Sequence, residues 1–225
     1  MGHRGVMLAE PLPEGPKLVG GRLCLDFVNT VSGRAPARKP RGSGGASRPI
    51  GRERLGDYAD LVRWSVAAGA LLRGEAAALL GRARRRPPEA GTALRRAVAL
   101  RESIYRICVA VIKGWEPPAA DLELLNRELT AARARERVVA GERGFAWGWE
   151  RPAPGLDRML WPVARSAAEL LTSPDLVFTR ECQGEDCGWL FLDTSRNRTR
   201  RWCDMSDCGN LAKVRRFRRR RGRAR

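Results

Sequence analysis

Apolar side chains recur at helical spacing through the first three quarters of the chain and alternate in one short stretch. The first clear run begins at Asp57, places Tyr58, Leu61, Val62 and Ser65 at i, i+3, i+4 and i+7, and stops at Gly69. A second helix is expected over 74–86, ended by Pro87-Pro88 because proline lacks the N–H that would continue it. The strongest pattern lies between Ala93 and Lys113, where Leu94, Val98, Arg101, Tyr105, Cys108, Val109 and Ile112 share one broad face. A fourth helix is expected over 121–135, with Leu122, Leu125 and Leu129 inward. Between 137 and 149 the period shortens to two: Val139, then Phe145, Trp147 and Trp149 beyond Gly141 and Gly144 predict a β-hairpin. A fifth helix is expected over 156–171, before Ser173-Pro174.

The rest of the chain is organised around these helices. Residues 1–19 read as a flexible lead-in, and GGRLCLDFVNT (20–30) opens a compact apolar segment. Residues 33–50, rich in Gly, Pro, Ser and Arg without periodicity, predict a mobile loop. Beyond 173, Trp189 to Leu192 predict a short strand. Leu211, Val214 and Phe217, at i, i+3 and i+6, predict a helix that docks this stripe on the preceding module and turns its arginines outward.

Six cysteines divide into two kinds. Cys24 and Cys108 lie in apolar stretches and read as buried free thiols. Cys182, Cys187, Cys203 and Cys208 form two C-x4-C pairs, each able to point two thiolates at one ion. Four soft thiolates make a closed tetrahedral site, most often zinc, with no open position for substrate. One structural zinc ion is therefore expected, and so short a segment needs such a staple. A knuckle, a hairpin and a ligand at a helix N-terminus suggest a treble-clef-like module. The expected fold is mainly α: a helical domain over 20–173 with one small β-hairpin, then a zinc finger over 176–221 and a basic tail over 222–225. A fragment over 176–225 is expected to fold only with zinc.

Charge supplies the functional clue. The net charge is +18, and Gly209 to Arg225 carries nine cations and no acid, half of that excess. Such a concentration favours a polyanion. Arg196, Arg198, Arg200 and Arg201 on the connection between the cysteine pairs, and Lys213, Arg215 and Arg216 on the last helix, are the candidate nucleic-acid contacts. Arg221, Arg223 and Arg225 read as a solvated end. No apolar run is long enough to span a bilayer, which leads to the expectation of a cytoplasmic, nucleoid-associated protein. Catalysis is not expected: the only histidine is His3, in the lead-in, and the clustered thiols are committed to metal. Asp26 and Asn29, polar within LCLDFVNT, either line a ligand pocket with Trp161 and Arg165 or cap a helix.

These residues carry a resemblance. CGWLFLDTSRNRTRRWCDMSDCGNLAKVRRFRRR (187–220) resembles the CGNR-type zinc finger, named for a Cys-Gly-Asn-Arg run at its last ligand. GGRLCLDFVNT (20–30), YADLVRW (58–64) and WPVARSAAELLTSPDL (161–176) are similar to its usual partner, the ABATE domain of bacterial stress-induced transcription regulators. The resemblance implies DNA binding by the finger and a sensory role for the front domain. The expectation is therefore a DNA-binding transcription regulator whose helical domain senses a small molecule or dimerises, with DNA, a small-molecule effector and a second copy as partners. An RNA- or protein-binding adaptor is the alternative. The signature's Arg is Leu211 here, so whatever that Arg does falls to a neighbour or is lost.

Overall fold

The computed structural model describes residues 15–34, 51–141, 144–150 and 155–222, with side chains through Arg219. Residues 1–14, 35–50 and 223–225, which hold most of the predicted lead-in, most of the predicted loop and most of the basic tail, lie outside the described residues, as do 142–143 and 151–154.

Seven α-helices are described: α1 (Leu23–Val28), α2 (Tyr58–Ala67), α3 (Arg73–Arg85), α4 (Pro87–Lys113), α5 (Ala119–Arg133), α6 (Leu160–Leu171) and α7 (Asn210–Gly222). Two antiparallel hairpins, β1 (Glu136–Gly141) with β2 (Gly144–Trp149) and β3 (Thr179–Glu181) with β4 (Leu190–Leu192), complete the mainly helical fold. Asp57 starts α2 through a reciprocal capping box: its carboxylate accepts from the Asp60 N–H, and Asp60 returns the bond to the Asp57 N–H.

Two boundaries differ most from expectation. Pro87 and Pro88 end α3 but also open α4, which is therefore six residues longer than predicted. At the first helical positions the missing N–H has no intrahelical partner to lose, so proline is tolerated there. The last helix of the front domain begins at Leu160, with Pro162 in its first turn.

The principal core gathers Phe27, Val28, Leu61, Leu100, Ile104, Leu160 and Val163, and it takes in Leu190 and Leu192 from β4. Cys24 and Cys108 are buried in this core, and desolvation pushes the Cys24 thiol up to about 12 and the Cys108 thiol higher still. Beneath the core edge, Arg34 and Arg101, each with a side chain only 1% exposed, share Glu102. Arg101 also holds Glu53 through two hydrogen bonds of 2.7 Å, and the Arg34 guanidinium stacks on Tyr105 at 4.0 Å. Gly33 and Arg34, placed in the mobile loop by the sequence, are thus fixed: Gly33 donates to the Cys187 carbonyl and Arg34 is buried. Among the described residues, no helix is long and apolar enough to cross a membrane.

Candidate metal centre and nucleic-acid interface

The metal ligands come from two local structures. Strands β3 and β4 flank the knuckle that carries Cys182 and Cys187. Cys203 and Cys208 sit on a turn and a short π-helical segment, Met205–Gly209, that runs directly into α7. The ligand atoms of all four residues lie within 4.8 Å of one another. The Cys187 and Cys203 sulfurs are 3.6 Å apart, and those of Cys203 and Cys208 are 3.7 Å apart. A tetrahedron with Zn–S bonds of about 2.3 Å has edges of about 3.8 Å, whereas a disulfide would need about 2.05 Å. The donor set fits one zinc ion and nothing bonded sulfur to sulfur.

The surroundings suit thiolates. The Cys182 thiol is held far below its usual range by hydrogen bonds from the Cys187 and Cys203 thiols and by the backbone N–H groups of Cys203 and Gly184, at 3.3 and 3.4 Å. Their hydrogen bonds to the Cys182 sulfur, with burial and its negative charge, push the Cys187 and Cys203 thiols up. A divalent cation reverses this opposition and ionises the whole set. Gly184 leaves the room: a Cβ there would stand 3.1 Å from the Cys208 sulfur.

The module is joined to the helical domain by a continuous seam. Asn29, at the C-terminal end of α1, donates to the Leu190 carbonyl at 2.8 Å and accepts from the Leu190 N–H at 2.9 Å. Leu192 donates to the Gly20 carbonyl, and the Trp189 indole N–H donates to the Val31 carbonyl. Gly188 holds φ +67°, and a Cβ there would meet the Arg34 Cβ at 2.7 Å, so both conformation and space demand glycine. β4 therefore serves two cores at once: Leu190 and Leu192 face the helices, while Phe191 packs with Trp189 and the cysteines. The lead-in is part of this seam as well, since Val19 packs on the finger core and Lys17 bridges Asp204 and Asp207. A fragment starting at 176 would lack all these partners of β4.

The candidate nucleic-acid residues separate into three groups. Arg198, although exposed, and the half-buried Arg200 are both committed to the module. Arg198, at φ +51°, stacks on Phe178 and donates to the Asp193 carbonyl. Arg200 stacks on Phe191 and donates to the carbonyls of Trp202, Val19 and Cys203. Arg215 is engaged by acids of the knuckle, Glu185 at 3.0 Å and Asp186 at 3.3 Å, and Arg219 joins Glu185 at 3.0 Å. Arg196, Lys213 and Arg216 are exposed, as is Arg201, which donates to the Gln183 side chain and lies over Trp202.

The ion pairs at Glu185 and Asp186 also overturn the predicted docking of α7. They orient the helix so that Ala212, Arg215 and Arg219 face the knuckle. Leu211 (56% exposed), Val214 and Phe217 are left at the surface, while arginines four residues apart reach the knuckle acids. Between α7 and the knuckle lies a groove of about 890 Å³ lined by Glu185, Asp186, Arg201, Trp202, Leu211 and Arg216 among others. Leu211, the residue standing where the signature has Arg, is therefore on the groove wall.

Asp26, Asn29, Trp161 and Arg165 are not brought into one pocket. The Asp26 carboxylate accepts from the Gly20 N–H at 2.7 Å, and burial pushes it up. Asn29 is committed to Leu190. Trp161 packs on Trp149 with ring centres 6.0 Å apart, and Arg165 pairs with Glu136 and Glu169. Asn29 was visible in the sequence only as a polar residue on an apolar face, a signal that a seam and a pocket share.

A family model described as "Putative stress-induced transcription regulator", ABATE, matches residues 21–174, more than half of the chain. The protein belongs to the ABATE family. A second model, the CGNR zinc finger, matches residues 179–221 and takes in all four cysteines. Neither family is described by an enzymatic activity. No curated protein matches the chain in sequence.

Proposed function

We propose that this ABATE protein is a zinc-dependent, DNA-binding transcription regulator of the bacterial cytoplasm, acting at the nucleoid. The finger contacts duplex DNA, and the helical domain supplies sensing or dimerisation. The observation that carries the reading is the launch of α7: a basic helix starts two residues after a zinc ligand, and its first turns are held against the knuckle. A rigid helix lined with cations can place several of them on phosphates at once.

Arg196, Arg201, Lys213 and Arg216 are assigned the DNA contacts. Arg198 and Arg200 are assigned to shaping the module beneath them. Arg215 reaches phosphate by leaving Glu185 and Asp186, exposed pairs of the kind worth about 0–1 kcal/mol. The exposed Leu211 and Val214 favour a second reading, an adaptor whose finger binds another protein or RNA.

Fluorescence anisotropy of zinc-loaded, full-length protein on duplex DNA against salt tests the assignment. Each phosphate contact contributes about 0.9 to the slope of log K against log salt. Arg216→Ala and Lys213→Ala are each expected to flatten the slope by about that amount. Slopes unchanged in both variants would remove α7 from the interface.

A further inference from the structure

The hairpin of β1 and β2 carries a surface the DNA reading does not use. Its register sets Glu136 opposite Trp149, Val138 opposite Trp147, and Ala140 opposite Phe145. Directly paired residues share a face, so these six side chains line one side of the ribbon. Along that side the aromatics emerge stepwise from the protein. Trp149 packs on Trp161, Trp147 lies under the Arg165 guanidinium at 5.9 Å and is 62% exposed, and Phe145 is 85% exposed. Val138, beside Trp147, is 61% exposed. The ribbon overhangs α6 and holds an apolar strip in water.

We infer that this strip is a self-association surface, in which the Val138, Phe145 and Trp147 face of one copy packs on the same face of a second copy across a two-fold axis. Three observations select a second copy. First, a two-stranded ribbon is marginal in water unless its apolar face is covered, and here only the base is. Second, the surroundings are electrically quiet in a chain of net charge +18. Arg133 and Arg165 pair with Glu136, Arg165 also with Glu169, and Arg135 and Arg137 with Glu150. Among the described residues, these four paired guanidinium groups against three carboxylates leave one positive charge, whereas the last seventeen residues of the sequence carry nine. A polyanion is drawn to α7 instead, and two copies repel least at the hairpin. Third, the strip has the anatomy of an interface: aromatic residues at the centre and Arg–Glu pairs at the rim. The three exposed side chains offer roughly 400 Å² per copy, about half of the roughly 800 Å² per partner of a standard interface.

The inference stands apart from DNA binding and is tested without it. Sedimentation equilibrium of the zinc-loaded full chain at micromolar concentration is expected to give twice the monomer mass of 25.0 kDa. The F145S/W147S double variant is expected to fall to 25.0 kDa with unchanged zinc content and circular dichroism, while V177S, at an exposed valine away from the hairpin, stays dimeric. Val138→Glu, which sets like charges across the axis without removing an aromatic, is expected to dissociate the dimer on its own. A monomeric wild type, or a dimer that survives both hairpin variants, would overturn the inference. So would a monomer that binds single-stranded oligonucleotide or anionic vesicles and loses that binding in F145S/W147S, which would give the strip to bases or lipid instead.

Discussion

Replacing Asn29 with alanine removes one side chain and leaves two backbone groups of β4 without partners. The amide is 3% exposed, and its two bonds to Leu190, at 2.8 and 2.9 Å, cover a stretch of strand whose own side chain is fully buried. Water cannot replace them without opening the seam between α1 and the finger. A buried donor or acceptor left unsatisfied costs about 1–3 kcal/mol, so the pair sets an expected loss of about 2–6 kcal/mol. For a chain of this length a loss of about 3 kcal/mol lowers Tm by about 6–12 °C. The cost should not stay in one domain, because Leu190 and Leu192 belong to the helical core while Phe191 packs with the cysteines. Asn29→Ala is therefore expected to lower the urea midpoint read by helical circular dichroism and also to speed zinc transfer to a chromogenic chelator. Asn29→Asp keeps an acceptor for the Leu190 N–H but turns a carboxylate toward the Leu190 carbonyl, and should cost at least as much. A loss below about 1 kcal/mol would refute the seam, as would a full loss with zinc release at the wild-type rate.

Four further outcomes follow from the same contacts. Stripping zinc with a strong chelator should lower the melting temperature of the helical domain as well as unfold the finger; an unchanged helical transition would show that β4 is dispensable to the main core. Arg200→Ala, which removes bonds to three carbonyls and the stack on Phe191, should cost about 1.5–3 kcal/mol of stability, whereas Arg216→Ala should leave urea unfolding unchanged. Glu185→Ala, which frees Arg219 and leaves Arg215 only its Asp186 partner, should tighten duplex binding at low salt, and weaker binding would mean that the knuckle acids help to present the helix. Burial raises the Glu102 carboxyl, but Arg34 and Arg101 outweigh it and hold the group below its ordinary value of 4.5. Its stabilising share is then present above pH 4.5 and is lost as pH falls through the lowered folded value. Glu102→Gln should flatten that acid limb of stability against pH, and an identical limb would place the loss elsewhere.

The parts of this structure that were legible in the sequence are those with a local cause. The helical periods of α2 and α4, the alternation of Phe145, Trp147 and Trp149, and the paired spacing of the four cysteines each follow from neighbours along the chain. What was not legible depends on partners distant in sequence. The stripe of Leu211, Val214 and Phe217 has a docking pattern, yet Glu185 and Asp186 turn α7 by its arginines. Arg198 and Arg200 look like their neighbours Arg196 and Arg201 until Phe178 and Phe191 are placed beneath them. Asn29 has the look of a cap or a pocket residue because its partner, Leu190, lies 161 positions away. Pro87 looks only like a helix stop in the sequence, although the same missing N–H makes it a good helix start.

Selection of bound sequences from random duplex DNA decides whether the zinc-held basic helix reads duplex DNA. With zinc-loaded full-length protein the account predicts enrichment of one motif, lost on chelation and weakened in Lys213→Ala and Arg216→Ala. A flat pool after repeated rounds, or equal retention of random RNA, would contradict it.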